Sequence, residues 1–479
     1  MGYRVIVAAF LVCAFASAED RLDRLNVVAL DSEGQPVTGL QSTDFKLLKD
    51  GKPQKIVFSR FTGYRPLPAA RPAANEYSNR AGANSPATVV LIDLLSDRML
   101  SASIINEDLT HGLKDLESSE GLYLYILTVS GALYPVHPLP KPDTEVTPAA
   151  EPWTRNIAPM LQAALKEVFG FHPIDDRDTK VRFDLTAKAL RELGGQMSLM
   201  AGRKNLVWVT HGIPLNGPSI SEQGLVDFSG PMRLLCEQLG RAEIAVYPVE
   251  QSMRGTAAPL GTESEQALDE FSSLTGGRQY RSGSVGEAIR HAMTDSRANY
   301  QLAYYATLQA PDGKHRKLRV TCARKDVRLQ TEAGFYAVLP AIPPSQLERA
   351  ALENAAHSPF DATEIGLRAS VSRDPDSEQS VRFDLRVDPS DLLFSQEKDH
   401  RTGKVSLLFA AYGAKGLEQS SPPVRRDLNL TPEQYETATH DGIGFRQAIA
   451  LGATIRRVRV IVVDPQLGTA GSVTIPIQH

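Results

Sequence analysis

Thr88-Val89-Val90-Leu91-Ile92-Asp93 is an unbroken apolar run that stops at a carboxylate. A run this short and this rich in β-branched residues reads as a strand buried on both faces. Such strands belong to parallel sheets flanked by helices, whose ligand sites lie just past the strand C-termini. Asp93 stands at that edge, ahead of Leu94-Leu95-Ser96-Asp97. Leu122–Val129, Asn205–Thr210 and Ile244–Val249 read as further strands. Helical periodicities separate them at Ile104–Leu116, Ile157–Phe169, Phe183–Met200, Pro231–Leu239, Ser264–Leu274 and Val285–Thr294. This alternation over residues 88–298 predicts an α/β fold with a doubly wound, mostly parallel, Rossmann-like sheet. Leu133–Pro140 is short and Pro-punctuated, which places it on a sheet edge.

On either side the period changes to that of strands. Residues 19–65 alternate as Leu25–Leu30, Phe45–Leu48 and Ile56–Phe58, with Asp31–Gly34 and Asp50-Gly51 as turn signals. Residues 66–87 are rich in Pro, Ala, Asn and Gly and read as a linker. Residues 299–339 return to hairpins, with Tyr300–Tyr305, Lys317–Thr321 and Gly334–Tyr336 as strands. A second linker and a short helix, Gln346–Ala356, fill residues 340–361. Residues 362–479 alternate throughout and predict a β-sandwich of immunoglobulin or fibronectin type.

The 479-residue chain carries a net charge of −4 with both signs intermixed, so it has no basic face for nucleic acid. Residues 1–18 read as a signal peptide: Arg4, an apolar middle from Val5 to Val12, and the exit Ala16-Ser17-Ala18. Val12 is bulky where a lipid-modified Cys13 would need a small neighbour, so cleavage after Ala18 is expected. That places the mature chain in the periplasm or outside the cell, with no later segment apolar enough to span a membrane. Only Cys236 and Cys322 then remain, and two buried thiols are expected rather than a disulfide framework.

Residues along the chain resemble a von Willebrand factor A-type domain, and in particular the exported von Willebrand factor A-related proteins of Acidobacteria. They are Asp31–Gly34 with Val37–Leu40 and Asp44-Phe45, Val90–Asp93, and Gly202–Trp208. Thr275–Arg278, Tyr300–Tyr305, Asp312-Gly313 and Gly334–Tyr336 complete the set. The resemblance covers about residues 22–338. It implies a six-stranded, mostly parallel sheet, with the hairpins before and after it paired into one small β-unit. It also implies a divalent cation held by Asp-x-Ser-x-Ser, a threonine and an aspartate from three loops.

Here the first loop keeps Asp93 but has Leu95 and Asp97 in place of the serines, with Ser96 between them. His211 stands where the third-loop aspartate is expected, and Thr179 is a loose match to the threonine. Leu95 has no donor atom, and imidazole suits zinc or nickel better than magnesium. The preferred reading is a degenerate, metal-free adhesion site with Asp93 hydrogen-bonded at the strand edge. The alternative keeps Asp93 and Asp97 as carboxylates, with His211, around magnesium or another divalent ion. The acidic run Asp175–Asp178 lacks the glycine and distal glutamate of a calcium loop and reads as a solvated, helix-leading cluster. No phosphate loop, nucleophile elbow or zinc-protease helix occurs, so no catalytic function is expected. The function expected is a secreted protein-interaction module whose ligand-binding residues are Asp93, Ser96, Asp97, Thr179 and His211. A metal-dependent ligand binder and a structural component of the cell envelope are the alternatives.

Overall fold

The computed structural model describes residues 21–63, 75–80, 86–95, 109–114, 116, 120–144, 152–168, 179–219, 224–250, 262–281, 284–306, 311–375 and 380–477. The chain opens with β1 (Arg21–Leu30), β2 (Phe45–Lys49), β3 (Lys52–Gln54) and β4 (Ile56–Phe61). Asp50 and Gly51 join β2 to β3 with φ of 50° and 77°, the paired positive angles of a two-residue type I′ hairpin. β5 (Glu76–Ser78) lies in the Pro-rich stretch.

Then come β6 (Thr88–Asp93), α1 (Thr110–Lys114), β7 (Leu122–Leu127), β8 (Leu133–His137), α2 (Ile157–Val168) and α3 (Thr179–Met197). β9 (Lys204–Thr210), the hairpin β10 (Asn216–Ser219) and β11 (Gly224–Asp227), α4 (Ser229–Arg241) and β12 (Ile244–Glu250) follow. α5 (Thr262–Thr275) and α6 (Val285–Arg297) end this part.

β6 is central in a five-stranded sheet of order β12-β9-β6-β7-β8. The first four strands are parallel, and β8 runs antiparallel at the edge. All six residues of β6 are buried. Val89 and Leu91 enter a core with Phe183, Trp208 and Phe271, while Val90 and Ile92 enter another with Leu113, Ile157 and Ile289. Covering both faces is what makes the run uninterruptedly apolar. Each fully buried Leu or Ile side chain contributes about 1.5–3 kcal/mol. α1 and α6 cross closely because both carry glycine: a Cβ on Gly112 would lie 2.3 Å from the Cα of Gly286.

The rest of the chain overturns the expected fold class. Among the described residues strand outweighs helix, 42% to 29%, so the fold is mostly β and not a doubly wound parallel-sheet fold. Among the described residues, parallel strand pairing is confined to one mixed sheet of five strands rather than the six implied, extended only by a parallel bridge of Val249 to Tyr280, and the other sheets are antiparallel. The strand–helix alternation spans only the middle of the sequence, and hairpins dominate on both sides.

Those flanks contribute β13 (Asn299–Ala306), β14 (His315–Cys322), β15 (Arg328–Thr331) and β16 (Gly334–Tyr336). They build the sheets β15-β1-β13-β4 and β16-β14-β2-β3 over a core with Leu25, Val27, Phe45, Tyr300 and Tyr304. After α7 (Pro344–His357) come β17 (Leu367–Arg373), β18 (Ser380–Val387), β19 (Ser395–Glu397) and β20 (His400–Gly413). β21 (Gly416–Ser420), β22 (Val424–Leu430), α8 (Pro432–Asp441), β23 (Ile443–Ala450), β24 (Arg457–Asp464) and β25 (Thr469–Pro476) complete the chain. α8 starts at a capping box, with Thr431 and Gln434 bonded reciprocally, and ends at Gly442 with φ 79°. The sheet β23-β18-β17-β5 faces the sheet built on β20, β24 and β25 across a core of Phe383, Phe409 and Val460.

A buried charged seam joins these units. Arg24 of β1 reaches Glu243 beside β12 at 2.9 Å and Glu364 beside β17 at 3.8 Å. Arg60 of β4 lies 3.8 Å from the Glu364 carboxylate, donates to the Glu364 backbone carbonyl, and donates to Gln301 at 2.9 Å. Glu364 also accepts from the Ala470 N–H at 3.1 Å. Burial, then Glu243, push the Glu364 carboxyl up. Burial also raises Glu243, but Arg24 and Lys204 outweigh it and leave that carboxyl low.

Candidate functional site

Asp93, Thr210 and Glu250 end three neighbouring parallel strands, with Glu250 in register with Thr210. Asp93 is fully buried. One carboxylate oxygen accepts from the Thr210 hydroxyl at 2.9 Å and the Trp208 indole N–H at 3.2 Å, and the other from the Leu95 N–H at 3.1 Å. The Thr210 hydroxyl accepts in turn from the Gly212 N–H at 3.1 Å. Gly212 has φ 103°, a backbone conformation open to glycine, and so lets the chain turn directly after His211.

His211 is half-buried beside this turn and acts electrostatically on Glu250. Glu250 is 6% exposed. Burial, then Glu265, raise its carboxyl, while His211 and Arg281 pull it back. Glu250 carries no motif in the sequence, although it closes the apolar run Ile244–Val249 just as Asp93 closes its own.

Thr179 opens α3 and packs under the β10–β11 hairpin. A Cβ on Gly217 would lie 2.5 Å from the Thr179 methyl, so only glycine lets the hairpin settle there. Phe228, directly after β11, stacks on Phe183 of α3 at 4.7 Å and donates its N–H to Leu215 at 2.7 Å. The hairpin is therefore anchored at its base, while Leu225 on its outer strand is 81% exposed. The structure thus brings Asp93 together with Thr210, sets His211 next to them, and assigns Thr179 to packing. Ser96 and Asp97 lie outside the described residues, as do the signal peptide and Asp175–Asp178.

The described residues do not fit the octahedral oxygen shell that the family resemblance implies. Asp93 turns its oxygens toward N–H and O–H donors, and an indole N–H only donates. Leu95 is buried and apolar. Among the described residues no group of three His, Cys, Asp or Glu is placed to hold an ion.

Cys236 and Cys322 are free thiols, Cys236 buried and Cys322 half-buried. Trp153 stacks on His137 at 4.3 Å, and His137 in turn on Tyr123 at 6.0 Å. Burial lowers the His137 imidazole. That stack covers the β8 edge of the sheet. No helix among the described residues is long and apolar enough to cross a membrane.

No family model matches the chain, and no curated protein matches it. Among solved structures, the pilus adhesin SpaC of Lactobacillus rhamnosus GG aligns over 82% of this chain and 54% of its own, at 9% identity and a TM-score of 0.28. This chain therefore spans about half the length of that adhesin. The open conformation of SpaC aligns over 90% of this chain and 71% of its own, at 9% identity and a TM-score of 0.29. A β-glucosidase of Listeria innocua aligns over 84% and 48%, at 9% identity and a TM-score of 0.15. Overlap this slight carries no argument about fold or function.

Proposed function

We propose that the chain is an exported, non-catalytic protein-interaction module, of the kind the von Willebrand factor A resemblance implies. Its contact surface is the edge where β6, β9 and β12 end. The observation that carries this reading is Leu225, an 81% exposed leucine on a hairpin whose base is fixed by Phe228 and Thr179. A large exposed apolar side chain on a hairpin anchored at its base suits the anchor of an interface, with His211, Asn216 and Asp227 as its rim. Asp93 and Glu250 shape the turns beneath, since both are buried. Contact then proceeds by shape and polar pairing, without a cation bridging to a partner's carboxylate.

The test places a photo-crosslinking residue at Leu225 and, as control, at exposed Lys55 on the far β-unit. Mature protein is then exposed to envelope extract. Adducts to one exported protein from position 225 and none from 55 are expected. Equal labelling at both positions, or none at 225, overturns the reading. A rise in Tm with magnesium, manganese or zinc overturns its cation-free part.

A further inference from the structure

An outer strand of a sheet offers unpaired N–H and C=O groups to any other extended chain, and proteins blunt such edges. Here most are blunted. β3 is three residues long and contains Lys52 and Pro53; β5, β16 and β19 are equally short. β10, β11 and β15 have four residues each. β8 holds Pro135 and a register shift, and a second shift breaks the pairing of β4 with β13. β12 contains Pro248 and is covered by Tyr280, which bonds Pro248 and Glu250 at 2.8 and 2.9 Å. β21 carries Glu418, and β22 carries Arg425, Arg426 and Asp427. β25 is closed over by Ala362 and Ile365, bonded to Ser472 and Ala470.

β23 has no proline, no register shift and no covering segment among the described residues. Its eight residues, Ile443-Gly444-Phe445-Arg446-Gln447-Ala448-Ile449-Ala450, pair with β18 without a register shift. It contains no Pro, Lys or acid, and its one charge, Arg446, is bonded to Asp384 at 2.6 Å. Ile443, Phe445 and Ile449 are only half-buried against the sandwich core, while Gly444, Arg446, Ala448 and Ala450 face solvent. Among the described residues no strand pairs with its outer side. Two side-chain amides donate to its carbonyls: exposed Gln419 to Ala450 at 3.0 Å and half-buried Gln447 to Ala448 at 3.3 Å.

We propose that β23 is a strand-addition surface whose occupant is β23 of a second copy, antiparallel across a two-fold axis at Gln447. The register follows from the chemistry. Residues directly opposite one another share a face, so odd positions must meet odd ones and even must meet even. An axis at Arg446 would set two guanidinium groups face to face, which is unfavourable. An axis at Phe445 or Ala448 shortens the ladder. At Gln447, Arg446 meets Ala448, Gly444 meets Ala450, and Phe445 meets Ile449. On the outer face each Arg446 then meets only a small residue, the half-buried apolar residues extend the core across the junction, and amide meets amide. That self-complementarity is what a two-fold contact requires, and it favours a second copy over an unrelated strand.

Sedimentation equilibrium of the full chain tests this. Wild type is expected to form a reversible dimer. Ala448→Lys sets a cation opposite Arg446 on both sides of the axis and weakens the dimer Kd by about tenfold. Ala448→Glu meets the same arginine and holds or tightens it; local unfolding would weaken both variants alike. Gln447→Cys is expected to yield disulfide-linked dimers on mild oxidation, and exposed Leu225→Cys is not. A monomer at every concentration overturns the proposal. So does equal behaviour of Lys and Glu at position 448, or no crosslink at 447.

Discussion

The crest of the mixed sheet and the seam between the units both bury carboxylates, and they hold them in opposite ways. At the crest, Asp93 is met by neutral donors from its own sheet and the turn beside it: a hydroxyl, an indole and a backbone N–H. At the seam, Glu243 and Glu364 are met by Arg24 and Arg60, which arrive from strands far away in the sequence. The first arrangement shapes a local turn. The second joins separate units, because each charge there is tolerable only while its partner's unit is docked. A crest built this way can offer shape to a partner, while the seam fixes the platform behind it.

The largest effect is expected at the seam. Arg60→Ala removes the guanidinium that neutralises Glu364 and bonds Gln301, leaving a buried carboxylate short of charge. Such breaks cost about 3–5 kcal/mol, read as a lowered midpoint in urea. Adding Glu364→Gln to Arg60→Ala should recover part of that loss, since the orphaned charge is gone. A loss under about 1 kcal/mol from Arg60→Ala would mean that the seam does not hold the units as a charge pair.

A smaller effect is expected at the crest. Asp93→Ala leaves the Trp208 indole, the Thr210 hydroxyl and the Leu95 N–H without their shared acceptor, at about 2–3 kcal/mol. Asp93→Asn keeps one acceptor oxygen and should lose less, because its NH2 faces only some of those donors. Trp208 fluorescence on denaturation follows both variants. Equal losses from the two would show that the site depends on the charge of Asp93 rather than on its acceptors.

How far these regions were readable depends on where the information lies. Thr88–Asp93 was legible because burial on both faces writes a continuous apolar run, and Asp50-Gly51 because two consecutive positive φ angles need that dipeptide. Asp93 was visible as the residue ending its strand. Its donors were not, since Thr210 lies 117 residues away and a threonine at a strand end is unremarked in one dimension. The seam was hidden more thoroughly: Arg24, Arg60 and Glu364 look like the polar half of ordinary alternating strands until folding buries them together. Glu76–Ser78 reads as linker because three residues among prolines carry no period, yet they pair with β17. The fold class went astray for a related reason. One strongly patterned strand carries most of the legible signal, while the many short hairpins that outweigh it each carry a weak one.

The smallest effect separates a carboxylate with a bonded arginine from one without. Glu332, just past β15, sits half-buried near Glu237, Asp23 and Arg203. Burial, then Glu237, push its carboxyl up to about 8, although Arg203 pulls the other way. In the unfolded chain it would titrate near about 4.3. Between those values the folded chain keeps a proton that the unfolded chain releases, so stability falls as pH rises through that window and levels off above it. Glu332→Gln removes this one contribution. It should match wild type near the bottom of the window and exceed it at the top by about 1.4 kcal/mol, the worth of one pKa unit, a modest figure because the side chain is partly open to solvent. Denaturation midpoints measured across that range check it. Parallel curves would mean that Arg203 compensates Glu332 as fully as Arg24 compensates Glu243, and the contrast between bonded and unbonded carboxylates would then fail at this position.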